Sequence, residues 1–231
     1  MYRGGDVIFF DLDNTLLDHD GAEQQAIRVF AARYSSQIQT CSDGIEQDWR
    51  RITDQQRARW RSGELSFEQL RRARISALFR TPLSDEQAER LSVEYYRLYR
   101  QHWMLFPDVL PALNILQQLS PLAIITNGFA FHQETKLRET GIRDYFRFMV
   151  ISEEVGVAKP DRRIFQHALR RASEPASACW YIGNHPQLDA QAASDVGMKA
   201  VWLNRNRAEN RVSTRVVRSL EGFADLVRMH G

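Results

Sequence analysis

Residues 6–15 read DVIFFDLDNT, and this stretch carries two signals in ten residues. Its apolar half has the composition of a buried strand. Asp11 and Asp13 follow at once, and they leave the strand end on the same side because side chains two residues apart point the same way in an extended chain. Two carboxylates held together attract a divalent cation. With Thr15 just beyond them, this placement favours a functional site over a pair of acids that only end the strand.

Four further apolar runs recur along the chain, with helical patterns between them. They are LAIIT at 122–126, FRFMVIS near Val150, CWYIG at 179–183 and AVWLN from Ala200. Strands that alternate with helices predict an α/β fold, a doubly wound parallel sheet with helices on its faces.

One long segment interrupts this alternation. Between about residues 17 and 106 no convincing strand occurs, only amphipathic segments such as AEQQAIRVFAARY and FEQLRRARISALF. Such segments predict a small bundle of helices. We therefore predict two domains, a core formed by residues 1–16 and 107–231 and an inserted helical cap formed by residues 17–106.

Composition and charge exclude several classes of partner. The chain has 231 residues, 43% of them hydrophobic, which is enough for a real interior. Lys and Arg number 31 against 29 Asp and Glu, and no basic block stands apart from neighbouring acids, so we expect no nucleic-acid partner. The apolar stretch near the start is too short and too acidic for a membrane span or a secretory signal. We expect no membrane partner and a cytoplasmic protein, either a monomer or a homodimer.

The turn after LAII is a second place where chemistry can gather. In doubly wound folds, ligands bind beyond the carboxyl ends of the strands. The Thr126 hydroxyl and the backbone N–H groups of Asn127 and Gly128 can hold phosphate oxygens there. Phe129 follows the turn and is a candidate substrate contact. Taken alone, the turn is more typical of an ordinary Asn-Gly turn than of a phosphate site.

Two more candidate positions lie further along the chain. Lys159 precedes a proline in VAKPD, so its ammonium can be fixed near a strand end while Asp161 supports the next helix. Asn184 directly follows the run CWYIG, and Asp189 lies five residues later. Together with the first two places, these positions indicate one shared site.

The order DLDNT, ITNG, AKP and GN-x-x-x-x-D resembles the four motifs of the haloacid-dehalogenase-like hydrolases. The resemblance extends from Asp11 to Asp189 and so over most of the chain. The helical insertion after the first motif looks like the cap of subclass I of that superfamily. The runs ITNGF, RDYF and VISEEVGVAKP look like its pyrimidine 5′-nucleotidase branch.

The resemblance implies a role for each motif residue. Asp11 would attack phosphorus to give an aspartyl-phosphate, and Asp13 would act as acid and base. Thr126 and Lys159 would hold the phosphoryl oxygens, and Thr15 would orient Asp13.

The resemblance also implies Mg²⁺ as the cofactor. The ion would lie between Asp11, the backbone carbonyl of Asp13 and the fourth motif, which supplies Asn184 and Asp189. The chain departs from the family here, since the fourth motif usually begins Gly-Asp and this one has Asn184 after Gly183. An amide oxygen can bind Mg²⁺ but brings no charge.

Within the family, Asp13 favours phosphate chemistry over halide displacement, because an alkoxide leaving group needs a proton donor and a halide does not. We therefore expect a Mg²⁺-dependent phosphomonoesterase for a small phosphorylated metabolite. The branch resemblance implies nucleoside 5′-monophosphates, with pyrimidines preferred. Two alternatives stay open. One is a phosphatase for flavin mononucleotide or a sugar phosphate. The other is a non-catalytic protein that binds a phosphate ligand and lost turnover with Asn184.

Overall fold

The computed structural model describes residues 7–39, 44–209 and 213–230. The chain divides into two compact units. One comprises Met1–Asp18 and Met104–Gly231, and we call it the sheet unit. The other comprises His19–Trp103, and we call it the helical unit. Among the described residues, no helix combines the length and the apolar character needed to cross a membrane.

A six-stranded parallel sheet forms the centre of the sheet unit, with the strand order β3-β2-β1-β4-β5-β6. This confirms the predicted fold class. The five apolar runs form five of the strands, and the sixth, an edge strand, was not predicted. The strands are β1 (Ile8–Phe10), β2 (Leu122–Thr126), β3 (Phe146–Ile151), β4 (Trp180–Gly183), β5 (Lys199–Leu203) and β6 (Arg215–Val217).

Alternate residues of the central strand serve the two faces of the sheet. Phe9 belongs to a buried cluster that includes Phe165 and Tyr181. Phe10 points to the opposite face and meets Phe223 edge to face, with ring centroids 6.1 Å apart. Because both faces carry helices, the strand is apolar at every position instead of every second one. The helices of this unit are α5 (Val109–Leu119), α6 (Ala130–Glu139), α7 (Ser152–Val155), α8 (Arg162–Ala172), α9 (Ala192–Asp195) and α10 (Leu220–His230).

In the part of the chain that the structure describes, the helical unit contains four helices and the loops between them. Two of its helices begin with a capping box at Ser66 and Ser84. Each serine hydroxyl accepts from the backbone N–H of the third helical residue, and each serine backbone N–H donates to the glutamine side chain of that residue. An ionic cluster lies inside this unit, where Glu23 Oε1 is 3.1 Å from Arg74 and 3.9 Å from Arg57. The helices are α1 (His19–Arg33), α2 (Ile45–Arg61), α3 (Phe67–Ser76) and α4 (Asp85–Gln101).

Candidate active site

The predicted residues gather at one edge of the sheet. Asp11 follows β1, Thr126 ends β2 and Asn184 follows β4, and these three strands are neighbours. Because all strands run parallel, their carboxyl ends lie together, which is where ligands bind in such folds. The cluster therefore has the position expected of an active site.

Asp11 is buried at the end of β1, and its two oxygens have different partners. The Lys159 ammonium donates to Oδ1 at 2.6 Å, and the Thr15 hydroxyl donates to Oδ2 at 2.9 Å. Burial raises the pKa of Asp11 to about 7, and Asp189 adds to the rise, whereas Lys159 opposes it. The contact set leaves Asp11 in a fixed orientation.

Lys159 joins two carboxylates. Its Nζ lies 2.6 Å from Oδ1 of Asp11 and 2.6 Å from Oδ1 of Asp189, and it donates to the Tyr181 hydroxyl at 3.0 Å. Burial opposes the charge, but the two carboxylates outweigh it and raise the pKa of Lys159. Asn127 fixes the backbone of the lysine, since its side chain accepts from Lys159 N at 2.8 Å and donates to Lys159 O at 3.1 Å.

Asp189 has contacts that differ from those of the expected metal ligand. Its Oδ1 accepts from Lys159 and from the Tyr181 hydroxyl at 2.8 Å, and its Oδ2 accepts from the backbone of His185 at 2.9 Å. The side chain is 2% exposed and packs directly over Gly183. Both oxygens are therefore committed to holding Lys159 and its own loop.

The Thr15 hydroxyl contacts Asp11, whereas the prediction gave Thr15 the role of orienting Asp13. This hydroxyl donates to Asp11 and accepts from the backbone N–H of Asn184 at 3.0 Å. It thereby ties the loop after β4 to the carboxylate after β1. The Asn184 side-chain oxygen lies 3.5 Å from the same hydroxyl.

The oxygens at this point fit a magnesium ion. Asp11 Oδ2 and Asn184 Oδ1 both lie next to the Thr15 hydroxyl, and carboxylate, amide and backbone carbonyl oxygens are the hard donors that Mg²⁺ takes. Among residues 7–39, 44–209 and 213–230, however, no three His, Cys, Asp or Glu side chains are grouped to hold a metal. An ion at this point would have Asp11 Oδ2 and the neutral amide oxygen of Asn184 as its side-chain donors.

The Asp13 side chain faces a second buried lysine. Lys136 Nζ lies 2.7 and 2.9 Å from the two carboxylate oxygens, and the amide of Gln133 donates to Oδ2 at 3.1 Å. Both partners belong to α6. Neither residue belongs to the four sequence motifs.

Polar groups of the turn at Thr126 form hydrogen bonds to neighbouring protein side chains. The Thr126 hydroxyl accepts from Gln133 at 2.7 Å, and the backbone N–H of Gly128, which we expected to face phosphate, donates to Ser152 Oγ at 2.9 Å. Phe129 is the residue before α6 and is half-buried. Of the predicted phosphate-binding groups, Gly128 N–H is therefore already bonded, and Asn127 uses its side chain on Lys159.

The chain is similar to known proteins over most of its length. The model of the haloacid dehalogenase-like hydrolase family matches residues 6–197. The pyrimidine 5′-nucleotidase YjjG of Escherichia coli (strain K12) is 31% identical over 236 residues, which cover 97% of this chain and 99% of that protein.

Two solved structures share the fold over nearly the whole chain. The putative HAD-hydrolase YfnB from Bacillus subtilis, a structure bound to magnesium, has a TM-score of 0.79 at 24% identity and covers 97% of this chain and 99% of its own. A 2-haloacid dehalogenase from Pseudomonas syringae pv. Tomato DC3000 has a TM-score of 0.73 at 28% identity and covers 98% and 100%. The family match spans the Asp11, Thr126, Lys159 and Asp189 motifs, and the chain therefore belongs to the haloacid dehalogenase-like hydrolases.

Proposed function

We propose that this protein is a phosphomonoester hydrolase that works through an aspartyl-phosphate on Asp11. The observation that carries the proposal is the buried carboxylate of Asp11 at a strand end, with the Lys159 ammonium 2.6 Å away and Asp13 two residues later. A fixed carboxylate beside a fixed cation provides a nucleophile and a partner for phosphoryl oxygens. In this proposal the sheet unit is the catalytic core and the helical unit is the cap.

The reaction would take two steps. In the first, an Asp11 oxygen forms a bond to phosphorus while the bond to the leaving oxygen breaks, and Asp13 gives that oxygen a proton. In the second, Asp13 takes a proton from water, the water oxygen attacks phosphorus, and Asp11 leaves as a carboxylate with release of inorganic phosphate. Thr126 and Lys159 would hold the phosphoryl oxygens during both steps.

The magnesium ion would be held by Asp11, by the backbone carbonyl of Asp13 and by the side-chain oxygen of Asn184. When bound, it would neutralise charge on the phosphoryl group and on Asp11. Support comes from the oxygen donors around Thr15 and from the magnesium in the YfnB structure. Because both Asp189 oxygens are occupied, we propose Asp189 as the residue that positions Lys159, not as a ligand.

The proposed substrates are nucleoside 5′-monophosphates, with pyrimidines preferred. The support is the similarity to the nucleotidase of E. coli over almost the full length of both chains. The likeness to a 2-haloacid dehalogenase is weaker support for halide chemistry, because Asp13 would supply the proton that only an oxygen leaving group needs.

Release of phosphate from p-nitrophenyl phosphate, with and without added Mg²⁺, tests the proposal. The variant Asp11→Asn should lose turnover while remaining folded, because an amide cannot attack phosphorus. Asp225→Asn is the matched control, since this exposed aspartate lies on α10 and pairs only loosely with Arg228, at 3.7 Å. Wild-type turnover in Asp11→Asn would overturn the nucleophile assignment. Absence of turnover in the wild type would instead favour a non-catalytic phosphate-binding protein.

A substrate panel tests the leaving group. Pyrimidine and purine nucleoside 5′-monophosphates, flavin mononucleotide and sugar phosphates should be compared by kcat/KM under one set of conditions. The pyrimidine nucleotides should rank first. If kcat/KM for a sugar phosphate or flavin mononucleotide is about tenfold higher than for the pyrimidine nucleotides, that compound replaces the nucleotides as the assigned substrate. A tenfold difference in kcat/KM is within what contacts in a substrate pocket can supply.

A further inference from the structure

Lys136 is a buried cation whose place in the site is independent of the four motifs. Its side chain lies on α6, with the residue 4% exposed, and its ammonium bonds both oxygens of Asp13, at 2.7 and 2.9 Å. A buried ammonium is unfavourable unless it is paired and hydrogen-bonded. Two bonds to one carboxylate also restrict the rotation of that carboxylate, which a single bond does not.

Gln133 lies one helical turn earlier on the same face of α6. Its Nε2 is 3.1 Å from Asp13 Oδ2, 2.7 Å from the Thr126 hydroxyl and 3.1 Å from the Asn127 carbonyl. An amide nitrogen has two hydrogens, so these three acceptors share them. Gln133 therefore links the proposed acid and base to the turn that would hold phosphate.

Gly128 makes room for this link. A Cβ at position 128 would lie 3.3 Å from both Cδ and Nε2 of Gln133, closer than ordinary contact. The backbone there also has a φ of +139°, which side chains other than glycine rarely adopt. The absence of a side chain at Gly128 thus leaves room for the Gln133 side chain.

We propose that Lys136 and Gln133 are positioning residues for the hydrolysis, which fix the Asp13 carboxylate relative to the phosphoryl-binding turn at Thr126. The inference rests on the proposed function. The two residues act through Asp13 and do not touch the substrate. A carboxyl group that is already in place does not have to be ordered during the reaction. If Asp13 loses this orientation, proton transfer becomes slower while substrate binding changes little, so kcat falls more than KM rises.

The first test removes the charge of Lys136 while keeping a side chain of similar length. Lys136→Met should lower kcat for uridine 5′-monophosphate by about 10- to 100-fold, with KM changed by less than about threefold. The loss should be smaller for p-nitrophenyl phosphate, whose leaving group needs little protonation. Lys136→Arg should recover part of the loss because a guanidinium can also bond both carboxylate oxygens.

Lys199→Met is the matched control. Lys199 is a half-buried lysine of β5 whose ammonium lies 5.3 Å from the centre of the Trp180 ring. Loss of the Lys199 ammonium should leave kcat unchanged. Thermal unfolding of every variant shows whether it folds. If Lys136→Met does not fold, Gln133→Met carries the same test, with the same expected preference for loss of kcat.

A double-mutant cycle decides whether Lys136 works through Asp13. With uridine 5′-monophosphate, whose leaving group needs the acid, Lys136→Met should have little further effect in a protein that already carries Asp13→Asn, because there is then no acid to position. An equal loss in both backgrounds, or wild-type kcat in Lys136→Met and Gln133→Met, would overturn the inference while leaving the proposed function intact. A wild type without turnover on either substrate would overturn the proposed function and this inference with it.

Discussion

The hydroxyl of Thr15 accepts a hydrogen bond from the backbone N–H of Asn184 at 3.0 Å, although 169 residues separate the two. The same hydroxyl donates to Asp11. The tie uses the backbone of residue 184, so it does not depend on which side chain that residue carries. The side chain at position 184 can therefore be changed without releasing the loop from the nucleophile.

Asn184→Asp should tighten magnesium binding because it restores a negative charge beside the proposed ion. We expect the half-saturating Mg²⁺ concentration for phosphate release to fall about tenfold, which corresponds to about 1.4 kcal/mol. A magnesium titration of activity measures this change. Asn114→Asp is the control, since Asn114 is exposed and lies on α5. An unchanged half-saturation would argue against metal binding at residue 184.

Asp189→Asn should behave differently in the same titration. A compensating move of Asp189 onto the metal would make a second carboxylate at 184 repulsive, but its oxygens are held by Lys159, Tyr181 and His185. We expect kcat to fall, because Lys159 loses one of its two carboxylate partners. The half-saturating Mg²⁺ concentration should stay nearly unchanged. A large rise in half-saturation would make Asp189 a metal ligand after all.

Asp13→Asn should slow the hydrolysis of alkyl phosphates far more than that of aryl phosphates. An alkoxide leaves poorly without a proton, and a nitrophenolate leaves well without one, so a general acid contributes about 10²- to 10⁴-fold mainly to the first kind. Rates for uridine 5′-monophosphate and p-nitrophenyl phosphate, each relative to wild type, measure the difference. Equal losses on both substrates would count against Asp13 as the acid.

Gly183→Ala should damage the site through Asp189. A Cβ on residue 183 would lie 2.4 to 2.6 Å from three side-chain atoms of Asp189, which is buried and has no room to retreat. We expect turnover to fall by about tenfold or more through displacement of Lys159. Gly222→Ala is the control, because the same methyl on α10 meets only Ser219 Oγ, at 3.6 Å. Normal turnover in Gly183→Ala would show that Asp189 need not be held so closely.

Glu23→Gln should destabilise the helical unit in a pH-dependent way. Burial alone would raise the pKa of Glu23, but His19, Arg74 and Arg57 outweigh it and lower the pKa to about 2. Since this value lies below the ordinary 4.5, the ionised glutamate stabilises the fold above pH 4.5, and the stabilisation is lost as pH falls towards 2.

Urea unfolding at pH 7 and pH 3 measures this dependence. The variant should be less stable than wild type by about 2 kcal/mol at pH 7 and by less than half of that at pH 3. Glu86→Gln is the control, because the Glu86 side chain is exposed and its pair with Arg90 should contribute little. A stability difference that is the same at both pH values would contradict the role of Glu23.

The sequence predicted what depends on long apolar runs and on residues that directly follow them. Five strands and the gathering of Asp11, Thr126 and Asn184 at one edge follow from that pattern, whereas Lys159 was predicted from the proline that follows it. Strand β6 was missed because Arg215–Val217 is short and partly exposed, so it carries no apolar run.

Lys136, Gln133 and Tyr181 were missed for a different reason. Lys136 and Gln133 are polar residues inside a helix whose pattern is satisfied without them, and their shared partner Asp13 lies 123 and 120 residues away. Tyr181 lies inside an apolar run, where its ring accounts for the pattern and its hydroxyl gives no signal. A lysine in the middle of a helix is normally a solvated residue, and only the packing of α6 reveals that Lys136 is buried. The occupied oxygens of Asp189 could not be predicted either, because one of their partners, Lys159, lies 30 residues away in sequence.

Strand β1 is translated before the other strands of the sheet, and both of its sheet partners are made much later. Ile8 pairs with Leu122 on one side and with Trp180 on the other, and the whole helical unit is translated in between. At roughly 5–20 residues per second, the apolar strand waits on the order of ten seconds for its first neighbour. Exposed apolar strands are prone to aggregate during such a delay, so the yield of soluble protein should depend on translation speed and on chaperones more than its final stability would suggest.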